Sequence, residues 1–153
     1  MPPLSDFLGT GRIGVLDAAA SRDAVLEAAA RLLADGSDEA ALAIADSLRQ
    51  RERLGSTAIG HGVAVPHGRS SVCDTTRAAF LRVEPAVDFG AADGQAVDLV
   101  LAMAAPEHFT QQHLQLLSEI AERFADPGFR DALRAAPDAD ALRAVLVDVV
   151  AAG

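Results

Sequence analysis

Three things are scarce in this chain: cysteine, aromatic rings and uninterrupted apolar sequence. One cysteine, Cys73, stands among 153 residues, so no internal disulfide can form, in agreement with a reducing compartment. With no second thiol to support redox or zinc chemistry, Cys73 reads as a small apolar residue. Tryptophan and tyrosine are absent, and the formal net charge is −9. Nucleic acid rewards basic stripes and stacking aromatics, so that class of partner is argued against, while a basic protein surface is favoured. Asp, Arg or Gly interrupts every apolar run well before the roughly 18 residues that a membrane span needs, and the N-terminus shows no basic region followed by an apolar stretch. A cytoplasmic protein without membrane insertion is expected.

What is present is core-forming material. Hydrophobic residues make up 50% of the chain, enough for one compact unit over residues 1–153 without metals or disulfides. Ser21 is placed to cap a helix through about Leu33, with Val25, Ala29 and Leu32 at helical spacing. A second helix is expected from Glu39 to Arg51 on Leu42, Ala45 and Leu48, with Gly36 separating the two. Ala78 to Val83 and Val97 to Ala104 read as central strands, joined through the turn pairs Phe89-Gly90 and Asp93-Gly94. Thr110 is a suitable N-cap for a helix with Leu114, Leu117, Ala121 and Phe124 on one stripe. Asp126-Pro127 opens a short helix, and Asp138 opens a last one with Leu142, Val145 and Val149 inward. Helices alternating with strands give an α/β layered domain.

The chemistry concentrates between Arg51 and Arg69, in the string RERLGSTAIGHGVAVPHGR. Pro66 restricts the backbone and Gly68 carries no side chain, so His67 is expected at a shaped turn that another molecule can approach closely. Val63, Ala64 and Val65 before it read as a short buried strand that presents the imidazole at its end. By itself a histidine in a turn is also compatible with an incidental surface residue. Arg51, in the charged run with Arg49, Glu52 and Arg53, likewise fits a solvated helix end.

The whole string resembles the active-site signature of the enzyme IIA domains of the fructose, mannitol and nitrogen-regulatory class of the bacterial phosphoenolpyruvate-dependent phosphotransferase system. The likeness extends from Leu4-Ser5-Asp6-Phe7-Leu8 through Asp93 to Val100 and on to the helix near His113-Leu114. It implies a mixed β-sheet flanked by helices on both faces. It also implies a phosphotransferase with a phosphohistidine intermediate, in which His67 carries the phosphoryl group. Arg51, sixteen positions ahead, and His113, forty-six positions after, match the family's arginine and its second active-site histidine. One position departs from the pattern: His61 stands between Gly60 and Gly62, where the family usually has Asn. It is open whether His61 replaces a structural amide or adds a titratable group near the site.

An imidazole accepts phosphoryl through a neutral nitrogen, and the surrounding task is to position the group and spread its charge over donors and cations. A helix N-terminus supplies free N–H groups and a partial positive charge, which suits His113 in the first turn of its helix. Ser56 and Thr57 are secondary candidates, with local backbone bonding as their competing use. The resemblance implies an HPr-like phosphocarrier, either HPr or its nitrogen-branch counterpart, docking on an apolar rim where Val72 and Phe109 are candidates. It also implies regulatory targets such as potassium transport regulators. A sugar-permease IIA component passing phosphoryl to a IIB domain is the alternative, and an inert binding module a remoter one. No cofactor is expected. A metal site built from His61, His67, His108 and His113 is disfavoured, because no pair has i, i+4 spacing on a helix and no CxxC is present.

Overall fold

The computed structural model describes residues 7–9, 11–108 and 111–152, apart from the side chains of 111–113 and 147–152. Its elements run β1 (Ile13–Asp17), α1 (Arg22–Leu33), α2 (Asp38–Leu54), β2 (Ala58–Gly60), β3 (Val63–Ala64), β4 (His67–Arg69), β5 (Arg77–Val87), β6 (Val97–Ala105), α3 (Gln111–Phe124), α4 (Pro127–Ala135) and α5 (Ala139–Ala152). Six strands form one mixed sheet in the order β1-β5-β6-β3-β2, with β4 also paired to β6. The β5–β6 pair is antiparallel, while β1 runs parallel to β5, and β3 and β4 run parallel to β6.

The helix starts follow from side-chain caps. Ser21 accepts from Ala24 N, Ser37 from Ala40 N, Asp126 from Gly128 N and Asp138 from Ala141 N, each satisfying an otherwise orphaned first-turn donor. Between α1 and α2 the chain reverses through Asp35 and Gly36, both at positive φ. Alternation along β6 then divides the core. Val100, Ala102 and Ala104 face α1 and α2, together with Val25, Ala29 and Leu48, whereas Leu99, Leu101 and Met103 face Leu116, Phe124, Leu133 and Leu142 of α3, α4 and α5. Phe124 anchors the second layer between Phe80 and Phe129, at ring-centroid distances of 6.3 and 5.0 Å.

Several details differ from the sequence reading. Helix α2 continues to Leu54, so Arg51 lies in its last turn. Leu42 is 74% exposed, and the buried stripe is Ile44, Ala45, Leu48 and Glu52. In α3 the buried line is Leu116, Ile120 and Phe124; Leu114 is 66% exposed, and Leu117 and Ala121 are half-buried. Both helices carry apolar residues on adjoining stripes, and the position of the sheet decides which one is covered. In α5, Leu142 is buried as expected and Leu146 joins it, while Val145 is half-buried and Val149 lies outside the described side chains. Strand β1 was not expected: Ile-Gly-Val-Leu is short and only half-buried at the sheet edge.

Candidate active site

His67 and Gly68 lie in strand β4 rather than in a turn, and Pro66 lies in the link from β3. Val63 pairs with Leu99, Ala64 with Val100, His67 with Met103, Gly68 with Ala104 and Arg69 with Ala105, so residues 63–69 follow β6 in one unbroken register. Pro66 interrupts the ladder only because it has no N–H; its carbonyl still accepts from Met103 N at 2.9 Å. Alternation is therefore preserved across the proline. Val63 and Val65 pack in the α3 layer and Ala64 in the α1–α2 layer, which places His67 and Arg69 on the α3 side. Gly68 faces α2, where an added Cβ would meet Ser47 Oγ at 2.2 Å. Ser47 in turn donates to the Arg69 carbonyl at 2.7 Å, so helix and strand are locked together at the site.

The His67 ring is half-buried, and its Nδ1 lies 2.9 Å from the Val65 carbonyl. A carbonyl only accepts, so Nδ1 carries the hydrogen and the lone pair of the neutral ring is on Nε2. Burial pushes the imidazole below its ordinary pKa of 6.5, and the Arg51 and Arg69 guanidiniums push the same way. The Val65 carbonyl and the Glu52 carboxylate oppose them. The neutral, nucleophilic form is thus the prevailing one at neutral pH.

A cleft of about 290 Å³ opens beside the ring. Arg51 borders it from the end of α2, and Ser56, Thr57 and Ile59 from the following turn and β2. Leu117, Ser118 and Ala121 of α3 close the opposite side. The half-buried Leu117 and Ala121, beside the buried line of α3, thus form part of the cleft wall. Arg51 donates to the Gly55 carbonyl at 2.9 Å. The Ser56 hydroxyl donates to the Phe89 carbonyl at 2.6 Å and accepts from Ala58 N. The Thr57 hydroxyl donates to Glu52. Both hydroxyl hydrogens are therefore already in use within the protein.

His113 is the third residue of α3, in its first turn; its side chain lies outside the described residues, as do Thr110, Phe109 and the Leu4-Ser5-Asp6 opening. Val72, a candidate rim residue, is 37% exposed. His108 is exposed. His61 occupies the left-handed region at φ 58, donates its N–H to Asp93 at 2.9 Å, and accepts from Arg134 at 2.6 Å through its carbonyl. Asn tolerates that conformation well, which accounts physically for an amide at this position. The β2–β3 hairpin has Val65 N bonded to the Thr57 carbonyl at its His67 end, so His61 sits at the other end, away from the cleft lining. Among the described residues, no group of three or more His, Cys, Asp or Glu is arranged to hold a metal ion.

Two residues at the site were not singled out from the sequence. Arg69 shares the face of His67, and strand alternation through Pro66 would have revealed it. Glu52 is buried, 4% exposed, and bonded to the cleft-lining Thr57, and nothing in the charged run around it distinguishes it from a solvated neighbour.

Comparison with known proteins decides the family. Residues 6–149 match the family described as "Phosphoenolpyruvate-dependent sugar phosphotransferase system, EIIA 2". The chain belongs to this family. A nitrogen regulatory protein of Pseudomonas aeruginosa is 42% identical over 147 residues, covering 95% of this chain and 96% of that protein. The crystal structure of the nitrogen regulatory protein IIA-Ntr from Neisseria meningitidis superimposes with a TM-score of 0.84 at 35% identity, covering 94% of this chain and 98% of that one. IIA mannitol from Escherichia coli shares the fold, with a TM-score of 0.74 at 23% identity over 91% of this chain and 98% of that one. The mixed sheet with helices on both faces is thus the architecture of this enzyme IIA family, and the nitrogen-regulatory members fit the chain better than the sugar-specific ones. Among the described residues, no helix is long and apolar enough to cross a membrane.

Proposed function

We propose that residues 1–153 form one cytoplasmic phosphoryl-carrier domain that accepts phosphoryl on His67 Nε2 from a phosphohistidine of an HPr-like carrier. The observation that carries this reading is the His67 ring itself. It is held through Nδ1 by the Val65 carbonyl, kept neutral by burial and two guanidiniums, and set at the wall of an open cleft. In the step, the Nε2 lone pair attacks phosphorus, the new P–Nε2 bond forms, and the donor's P–N bond breaks with the electron pair returning to the donor ring. The hydrogen stays on Nδ1 throughout, donated to the Val65 carbonyl.

Arg51 neutralises the equatorial oxygens from the end of α2, and His113 does so from the first turn of α3, where free backbone N–H groups add positive potential. Ser56 and Thr57 shape the cleft floor. The nitrogen-regulatory branch is favoured by the similarity over nearly the full length of both chains. In that reading, the two charges gained on phosphorylation switch the docking surface for regulatory targets, potassium transport regulators being one class. Transfer to a IIB domain is the second reading, suggested by the mannitol IIA of the same fold, whose structure is known in complex with phosphorylated IIB.

The test is incubation with phosphoenolpyruvate, enzyme I and a phosphocarrier, followed by intact-mass measurement. An acid-labile gain of about 80 Da that disappears in His67→Ala is the expected result. Undiminished labelling of His67→Ala would remove His67 as the acceptor.

A further inference from the structure

Glu52 sits in the last turn of α2 next to Arg51, with its carboxylate withdrawn from solvent. One oxygen accepts the Thr57 hydroxyl and the other accepts Thr57 N at 3.3 Å. Its nearest cation among the described ion pairs is Arg22, 4.0 Å away and itself 40% exposed. A carboxylate buried with so distant a partner costs desolvation that an apolar side chain would avoid, so its presence behind the cleft-lining Thr57 calls for a role.

Connectivity supplies one. The Thr57 carbonyl accepts from Val65 N at 3.0 Å, and the Val65 carbonyl holds His67 Nδ1 at 2.9 Å. Glu52, Thr57, Val65 and His67 therefore form a continuous hydrogen-bonded series from a fixed charge to the reacting ring. We propose that Glu52 is a positioning residue for phosphoryl transfer: its buried carboxylate pins Thr57 and, through the Thr57–Val65 pairing, fixes the carbonyl that orients the imidazole and selects Nε2. This rests on His67 being the phosphoryl acceptor.

The charges that reach the ring are consistent with the role. Arg51 from α2 and Arg69 from β4 disfavour the imidazolium, and Glu52 is the carboxylate that favours it. Arg22 on α1 lies 4.0 Å from Glu52. Leu117, Ser118 and Ala121, the described α3 residues at the cleft, bring no charge. Glu52 is thus both the anchor of the series and the counter-charge within it.

Glu52→Gln keeps an acceptor for Thr57 and removes the charge; Thr57→Val removes the hydroxyl bond and keeps the backbone one; Thr57→Ser restores it. The readouts are phosphoryl acceptance from a phosphorylated HPr-type carrier, melting temperature, and an NMR titration of the His67 ring nitrogens in the unphosphorylated protein. Glu52→Gln is expected to remain folded, to lower kcat about tenfold with KM for the carrier unchanged, and to move the His67 midpoint to lower pH. Thr57→Val should reduce the Nδ1–H tautomer fraction, and Thr57→Ser should recover it. Wild-type kcat, midpoint and tautomer in both Glu52→Gln and Thr57→Val would overturn the proposal, as would a change in melting temperature alone. If Glu52→Gln does not fold, the Thr57 pair decides through the tautomer fraction. The titration needs no phosphoryl donor, so it tests Glu52 even if His67 fails as acceptor.

Discussion

Gly68 approaches Ser47 so closely that a Cβ on the glycine would stand 2.2 Å from Ser47 Oγ and 3.1 Å from Ser47 Cβ. The helix that carries Arg51 in its last turn is therefore seated directly on the strand that carries His67, and the spacing of cation and imidazole is set by this contact. Gly68→Ala should force the two apart, lowering stability by about 1–3 kcal/mol and slowing phosphoryl acceptance. Denaturant unfolding checks the first effect. Adding Ser47→Gly removes the obstructing side chain together with its bond to Arg69, so it should recover part of the lost transfer rate and not the stability; if the rate stays where Gly68→Ala left it, the contact does not set the site.

The depressed titration of His67 predicts two pH dependences. Phosphoryl acceptance should rise with pH to a plateau, with its midpoint below 6.5, because only the neutral ring attacks. Stability follows the same sign. The unfolded chain binds the proton first as pH falls, so the contribution of the neutral ring is present above the ordinary value and is lost below it. His67→Gln should therefore show less acid destabilisation than the wild type. A midpoint above 6.5 would contradict the electrostatic description of the site.

His61 provides a control away from the cleft. Its φ of 58 and its two main-chain bonds, to Asp93 and Arg134, use no ring atom. His61→Asn should keep stability within about 0.5 kcal/mol and leave the pH profile of transfer unchanged. His61→Val should cost about 1–2 kcal/mol, since a β-branched residue resists the left-handed region. Thermal unfolding of the two variants distinguishes them; a shifted transfer profile in His61→Asn would instead couple the ring to the site.

Arg51→Ala and His113→Ala should fold normally and slow transfer on the order of 10²-fold, the cost of removing one donor to a developing anionic charge. Arg69 is exposed, and its Nη1 lies 3.4 Å from the Glu107 carbonyl. On the same face as His67, it should act in docking: Arg69→Ala should raise KM for the carrier more than it lowers kcat, with a weaker salt dependence. Steady-state kinetics at two ionic strengths separates these roles, and wild-type rates in all three variants would remove them.

Much of this was legible in the sequence because local chemistry dictated it. Ser21, Asp126 and Asp138 cap where cap residues belong, and β6 is the apolar run it looks like. The string around His67 pointed to the site through its resemblance to a family. What escaped were choices made by tertiary contact. Leu42 and Leu114 have helical spacing but look away from the sheet. The Pro66-His67-Gly68 segment has turn composition, yet β6 holds it extended by offering partners on both sides of the proline. Glu52 reads as one of four charges within the five residues 49–53, and only the fold buries it.

The His67 ring, hydrogen-bonded through Nδ1, is expected to receive phosphoryl on Nε2. Combined 31P and 15N NMR of the phosphorylated protein tests it most directly. One phosphoramidate resonance is expected, coupled to Nε2 of His67 and absent from His67→Ala. Phosphorus bonded to Nδ1, or a phosphoramidate that persists in His67→Ala, would contradict it.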